Sequence, residues 1–207
     1  MTHPFTNLPF TPYLRIGALA WVTDPAGVGI FDTAQGKSVA RLSRGYVVEI
    51  IGGPEVKRYT QGGQINDIVR WQIFSPRREG DDRRPVTGWA GEGEIAAGAP
   101  AALPVFWLQE LAATWVCPGA DYGTNLEHGW EVFVTQHGDK LALRDKPTIH
   151  NSTVKQRFAA GEILPVRSGY ICADRMIWWP VGLSGAVTEQ WCSEGDAGGY
   201  LLAPLEV

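Results

Sequence analysis

Acyl transfer needs a nucleophile within hydrogen-bond reach of a base, which a third group orients. The sequence offers Cys117 with His128, His137 or His150 for that work. Cys117 stands between Val116 and Pro118 at an expected helix end, without the Gly-flanked strand-to-helix turn that exposes a nucleophile. It reads as a structural cysteine. Glycoside cleavage needs two carboxylates facing across a cleft. Asp81-Asp82 and Glu92-x-Glu94 lie beside basic residues or in turns, and read as solvated loop charges. Asn151-Ser152-Thr153 matches a glycosylation sequon and reads more simply as a polar turn. No Gly-rich phosphate loop, metal cluster or dinucleotide fingerprint stands out. Catalytic residues, metals and cofactors are therefore read as none, and the chain as a non-enzyme.

The cysteines leave two readings open. Cys117, Cys172 and Cys192 cannot all pair within one chain. Cys172 and Cys192 lie in successive strand-like segments and could bridge across a ladder; small buried thiols in a reducing compartment are the favoured alternative. Their spacing resembles no zinc site.

The totals narrow the partners. A net charge of -4, with basic residues scattered among acids, leaves no broad positive surface for a phosphate backbone. Nucleic acid is excluded as a partner. No apolar run has the length of a membrane span, and the first residues lack the charged and hydrophobic regions of a secretory signal. The expected location is cytoplasmic or particle-associated, or outside the cell only by another export route.

The elements that must position any site are short strands. Gly 25, Pro 14 and few long apolar-periodic runs in 207 residues suit strands and turns, so the fold class is mainly β. Residues 130–148 read as a hairpin: a strand to Thr135 with Val132 and Val134 on one face, a turn at Gly138 and Asp139, and a second strand from Leu141 to Arg144. The same opening occurs earlier, with Trp21-Val22-Thr23 in the place of Phe133-Val134-Thr135. Further landmarks recur in order. Gly161 matches Gly45, the segment around Trp179 matches that around Trp71, and Gly198-Gly199-Tyr200-Leu201 is matched to Thr87-Gly88-Trp89-Ala90.

Four segments follow: an arm over 1–17 bearing Phe5, Phe10 and Tyr13, a first domain over 18–95, a linker over 96–129, and a second domain over 130–207. The stretch 76–85, with four arginines and three acids, reads as a solvated hairpin tip. Within the linker, Pro104 and the spacing of Leu108, Leu111, Ala112 and Trp115 predict a short amphipathic helix over the seam between the domains.

The Val-Thr opening strand, Leu141-Ala142-Leu143-Arg144 before Lys146-Pro147-Thr148, the Gly161 turn, Trp178-Trp179-x-Val181 and a terminal Gly-aromatic strand together resemble the bacterial SH3-like (SH3b) domain. The resemblance covers most of 130–207 and extends more weakly to 18–95, where Phe31-Asp32-Thr33 replaces the Leu-Arg and Pro elements. It implies two tandem small β-barrels of about five strands each, joined by the linker and its helix. It also implies ligand recognition between loops and an accessory, binding role.

Aromatic side chains combine flat apolar area with polar handles and are frequent at contacts. If Trp179 and Val181 face the core, alternation turns Trp178 and Pro180 outward, making Trp178 the first-choice ligand contact. Tyr170, Tyr200, Trp89 and Arg144 follow from their family positions. The position of Trp178 is held in the first copy by Arg70, so the two copies present different surfaces. The expected function is a non-catalytic adaptor or structural subunit of a larger assembly that binds protein or peptide. The alternative is a bacterial or phage-associated protein that binds cell-wall peptides.

Overall fold

The computed structural model describes residues 8–9, 12–76, 85–97, 104–182 and 188–207. Phe5, Phe10, the Asp81-Asp82 pair, most of the arginine-rich tip and most of the small-residue linker lie outside these. The described residues form strands, turns and loops with no helix. The chain divides into two compact units, one made of residues Met1–Ile16 and Ala20–Glu110, the other of Gly17–Leu19 and Leu111–Val207.

The first unit is built on β1 (Leu19–Val22), β2 (Val28–Phe31), β3 (Ser38–Leu42), β4 (Val47–Gln61), β5 (Gln64–Ser75), β6 (Val86–Ala96), β7 (Val105–Phe106) and β8 (Leu108–Glu110). They form one curled antiparallel sheet in the order β3-β2-β6-β5-β4-β1-β8, with β7 added against β6. The long β4–β5 hairpin closes through Gly62-Gly63, both at positive φ (58° and 82°), as a two-residue primed turn requires. Apolar alternation fills the inner face. Val28 and Ile30 of β2 are buried while Gly29 and Phe31 are partly open.

The second unit contains β9 (Glu131–Val134), β10 (Leu141–Arg144), β11 (Val154–Phe158), β12 (Ile163–Pro165), β13 (Ile171–Ala173), β14 (Met176–Val181), β15 (Gln190–Ser193), β16 (Gly195–Asp196), β17 (Gly199–Tyr200) and β18 (Leu202–Pro204). A five-stranded sheet runs β11-β10-β15-β14-β13, a three-stranded one β12-β9-β18, and β16 pairs with β17. Their inner faces share a core of Val132, Val134, Leu143, Phe158, Ile177, Trp179, Cys192 and Leu202. Eight such side chains each removed from water, at about 1.5–3 kcal/mol apiece before the entropy of ordering them, are what hold so strand-rich a unit together.

Strand pairing follows the same order in both units. Val22 faces Leu108 across β1 and β8, and Val134 faces Leu202 across β9 and β18. Thr23 N–H donates to Trp107 O, and Thr135 N–H donates to Leu201 O. Gly45 and Gly161, at φ 92° and 85°, each donate to the carbonyl of the matching valine, Val22 or Val134. The β2–β3 and β10–β11 ladders even shift register at the same step, before Phe31 and before Arg144. Trp71 faces Ala90 and Trp179 faces Cys192. This register matches Trp89-Ala90-Gly91-Glu92-Gly93 with Trp191-Cys192-Ser193-Glu194-Gly195. The segment at Gly198-Gly199-Tyr200-Leu201, expected to match Thr87 through Ala90, instead turns back so that Tyr200 faces Gly195.

Two expectations about local structure are corrected. The predicted helix at Pro104 to Trp115 is extended chain, forming β7 and β8. Only Leu108 of its apolar stripe is buried; Ala112 and Trp115 are exposed. Val105, Phe106 and Trp107 favour strand, and two ladder edges, on β6 and β1, are open to receive them. The cysteine pairing also differs. Cys117 and Cys172 form a disulfide with Cα atoms 5.8 Å apart, and Cys192 is a free buried thiol. The favoured reading of small buried thiols thus holds for Cys192 alone, and the alternative bridge is barred because Cys172 sits on β13 and Cys192 on β15 with β14 between them.

Candidate ligand-binding groove

The second unit carries an open groove of about 280 Å³. Its walls come from the turn between β9 and β10, from β10 itself, and from the ends of β14 and β15. Alternation along β10 buries Leu141 and Leu143 and leaves Ala142 and Arg144 on the other face. Arg144 Nη1 donates to Ser152 Oγ at 2.9 Å, and Ser152 Oγ donates to Thr148 O at 2.5 Å. The loop that carries these partners is itself anchored, because Asp174 accepts from Thr148 Oγ1 and Ile149 N–H at 2.6 Å each. Those bonds, the Thr148 one foremost, hold the Asp174 carboxyl below the ordinary range.

The turn ahead of β10 is fixed by Thr135. Its hydroxyl donates to Tyr200 O at 2.6 Å and accepts from Gly138 N–H at 2.9 Å. Lys140 follows in a left-handed conformation, φ 67°, that few side-chain-bearing residues adopt. On the rim His137 Nε2 lies 3.0 Å from Asp196 Oδ1, which also accepts from Gly198 N–H at 2.8 Å. Burial works to raise the Asp196 carboxyl, but the hydrogen bonds from His137, Gly198 and Gly199 outweigh it and keep it below the ordinary range.

Trp178 and Arg144 both line this groove. Trp178 is not the outward-facing platform expected from alternation: only 2% of it is exposed, and its Nε1 donates to Ala173 O at 3.0 Å. Pro180, expected outward with it, is buried as well. Both faces of β14 are covered, so Trp178 is part of the groove lining rather than a free surface. The other three candidates stand apart from it. Tyr170 stacks on Trp115 (5.3 Å between centroids) and meets Trp179 edge-on (5.2 Å), Tyr200 meets Tyr122 edge-on (4.9 Å), and Trp89 lies on β6 of the first unit opposite Phe31 and Gln72. In the first unit the two positions matching Arg144 and Trp178 are Phe31 and Arg70, and there the guanidinium lies over the ring at 3.6 Å.

Each unit also holds a buried glutamate, and the sequence had pointed to solvent for the first of them. Glu92 is fully buried; its Oε2 accepts from Trp71 Nε1 at 2.6 Å and its Oε1 from Tyr13 N–H at 2.7 Å. Glu194 repeats this, accepting from Trp179 Nε1 at 2.7 Å and Asn125 N–H at 2.7 Å. Each carboxylate thus ties the chain entering its unit to the central tryptophan of the sheet. Burial pushes the Glu194 carboxyl up to about 7, and moves Glu92 in the same direction. The repeated Trp-x-x-Glu-Gly at Trp89 and at Trp191 was the sequence signal for it.

The nucleophile considered for Cys117 is consumed by the disulfide. Burial pushes the remaining thiol, Cys192, far up. Among the described residues no three metal-ligating side chains cluster, and no helix is long and apolar enough to cross a membrane. No family model, curated protein or solved structure matches the chain.

Proposed function

We propose that the chain is a non-catalytic module of two tandem SH3-like barrels that binds protein or peptide through the groove of its second unit, as an adaptor or structural subunit of a larger assembly. The observation that carries this reading is the meeting of Arg144 and Trp178 in one groove walled by Leu141, Ile149 and Met176. Convergent polar groups on an apolar lining are what a recognition site requires. The test is an array of random-sequence peptides probed with the wild-type chain and with Arg144→Glu, whose site is only half-buried. Peptides bound by the wild type and lost by a variant with an unchanged melting curve are the expected result. Equal binding by both overturns the assignment to this groove.

The Cys117–Cys172 disulfide favours a second reading, because such bonds persist chiefly in oxidising surroundings. On that reading the chain works outside the cytoplasm and its peptides belong to a cell wall. Saturable binding of peptidoglycan fragments supports it, and no binding alongside a protein ligand from the array removes it.

A further inference from the structure

We propose that the groove takes the free carboxyl end of a peptide whose last side chain is apolar; this rests on the reading of the groove as a peptide site. The argument begins with its charges. Asp139 accepts Ala160 N–H at 3.2 Å, and Asp196 is held by His137 and Gly198 N–H, so both acids already have donors within the chain. The cations differ. Arg144 donates to the neutral Ser152, one of the five bonds a guanidinium can make, and neither it nor Lys140 is in an ion pair among the described residues. Neither cation is matched by a carboxylate of the chain among the described residues. A guanidinium fork fits a carboxylate through paired hydrogen bonds, with Lys140, four residues earlier in the chain and in the same lining, as a second positive charge.

Size and lining point to the rest of the ligand. About 280 Å³ falls just under the roughly 300–1,000 Å³ of ordinary small-molecule clefts, which suits a residue-sized end better than a long segment. Leu141, Ile149, Met176 and Trp178 offer that residue an apolar wall. A phosphorylated or polyanionic ligand fits less well, because Asp139 and Asp196 stand on the same rim. The first unit cannot offer the equivalent site, since the face of Arg70 is taken by Phe31 and its Nη1 by Ala34 O.

The experiment is a calorimetric titration of the full chain with the peptide Ac-Ala-Ala-Ala-Leu, once as the free acid and once as the C-terminal amide. The free acid is expected to bind at least about 10-fold more tightly, because a hydrogen bond between two charged groups is stronger than one to a neutral amide. Arg144→Gln should remove that difference, and raised salt should weaken the acid more than the amide. Should Arg144→Gln misfold by near-ultraviolet circular dichroism, Lys140→Gln at an exposed position takes its place, with a smaller loss in the same direction. Equal affinity for acid and amide overturns the carboxylate inference while leaving the peptide reading intact. So does an absence of binding by either form when the array yields ligands. If the array is blank as well, both fail.

Discussion

At the scale of single residues, the buried Glu194 sets a dependence of stability on pH. Its carboxyl titrates near 7 in the folded chain against an ordinary 4.5, so the folded state holds the proton more tightly than the unfolded one. The contribution of this group is therefore fully present below about pH 4.5 and is lost as pH rises through about 7, on the order of 3 kcal/mol across the window. Glu92 acts in the same direction. Asp67 and Asp196 are shifted downward and act oppositely, losing their contribution only as pH falls below the ordinary aspartate value. Urea denaturation at pH 5 and pH 8 should find the wild type less stable at pH 8, and Glu194→Gln should show a clearly smaller difference. Trp179→Phe removes one of the donors to that carboxylate and should cost about 1–3 kcal/mol, more at pH 8 than at pH 5. An unchanged pH difference in Glu194→Gln would contradict this account. The pair was hard to find in sequence because a glutamate two residues from another glutamate, in a Gly-rich stretch, has the composition of a loop. Only the register of β6 against β5 reveals that Glu92 points at Trp71.

At the scale of elements, the Cys117–Cys172 disulfide fastens the loop before β9 to the edge strand β13. Closing a loop of sequence separation 55 is worth about 2–4 kcal/mol, mainly through the unfolded chain. Peptide mapping without reductant should recover Cys117 linked to Cys172 with Cys192 free, and the Cys117→Ser, Cys172→Ser double variant should lose stability by about that amount. Linkage of Cys172 to Cys192 would contradict the strand order. Sequence alone favoured free thiols and left Cys172 with Cys192 as the one pair weighed, because two strand-like segments that follow one another look adjacent; β14 intervenes only once the sheet order is known. The β9–β10 hairpin was legible, since Val132 with Val134 and Leu141 with Leu143 recur at every second position and a Gly-Asp turn joins them. The stretch from Pro104 was not. Leucines and alanines at helical spacing outweighed a Val-Phe-Trp run, and the open ladder edges on β6 and β1 are tertiary partners that no local window contains.

At the scale of the whole chain, one pairing plan serves two units that differ at one pair of facing positions. Val22 and Val134, Gly45 and Gly161, Trp71 and Trp179, Glu92 and Glu194 hold equivalent places, whereas Phe31 with Arg70 in the first unit gives way to Arg144 with Trp178 in the second. The recurrence of Val-Thr and of the central tryptophan was readable from sequence. The exchange of arginine and aromatic across the two positions was half visible, in the match of Arg70 to Trp178, but the groove it leaves depends on Thr135, Asp174 and Asp196, whose bonds span distant segments. The central claim is that recognition belongs to the groove of the second unit. The measurement that tests it most directly is the amide and indole proton–nitrogen spectrum of the full chain, recorded while the tightest peptide from the array is added. Shifts gathered on His137 through Arg144, on Met176 to Trp178 and on Ser193 to Asp196 are the predicted result. Shifts gathered instead around Phe31 and Arg70, or on the Trp115 and Tyr170 stack, would contradict it.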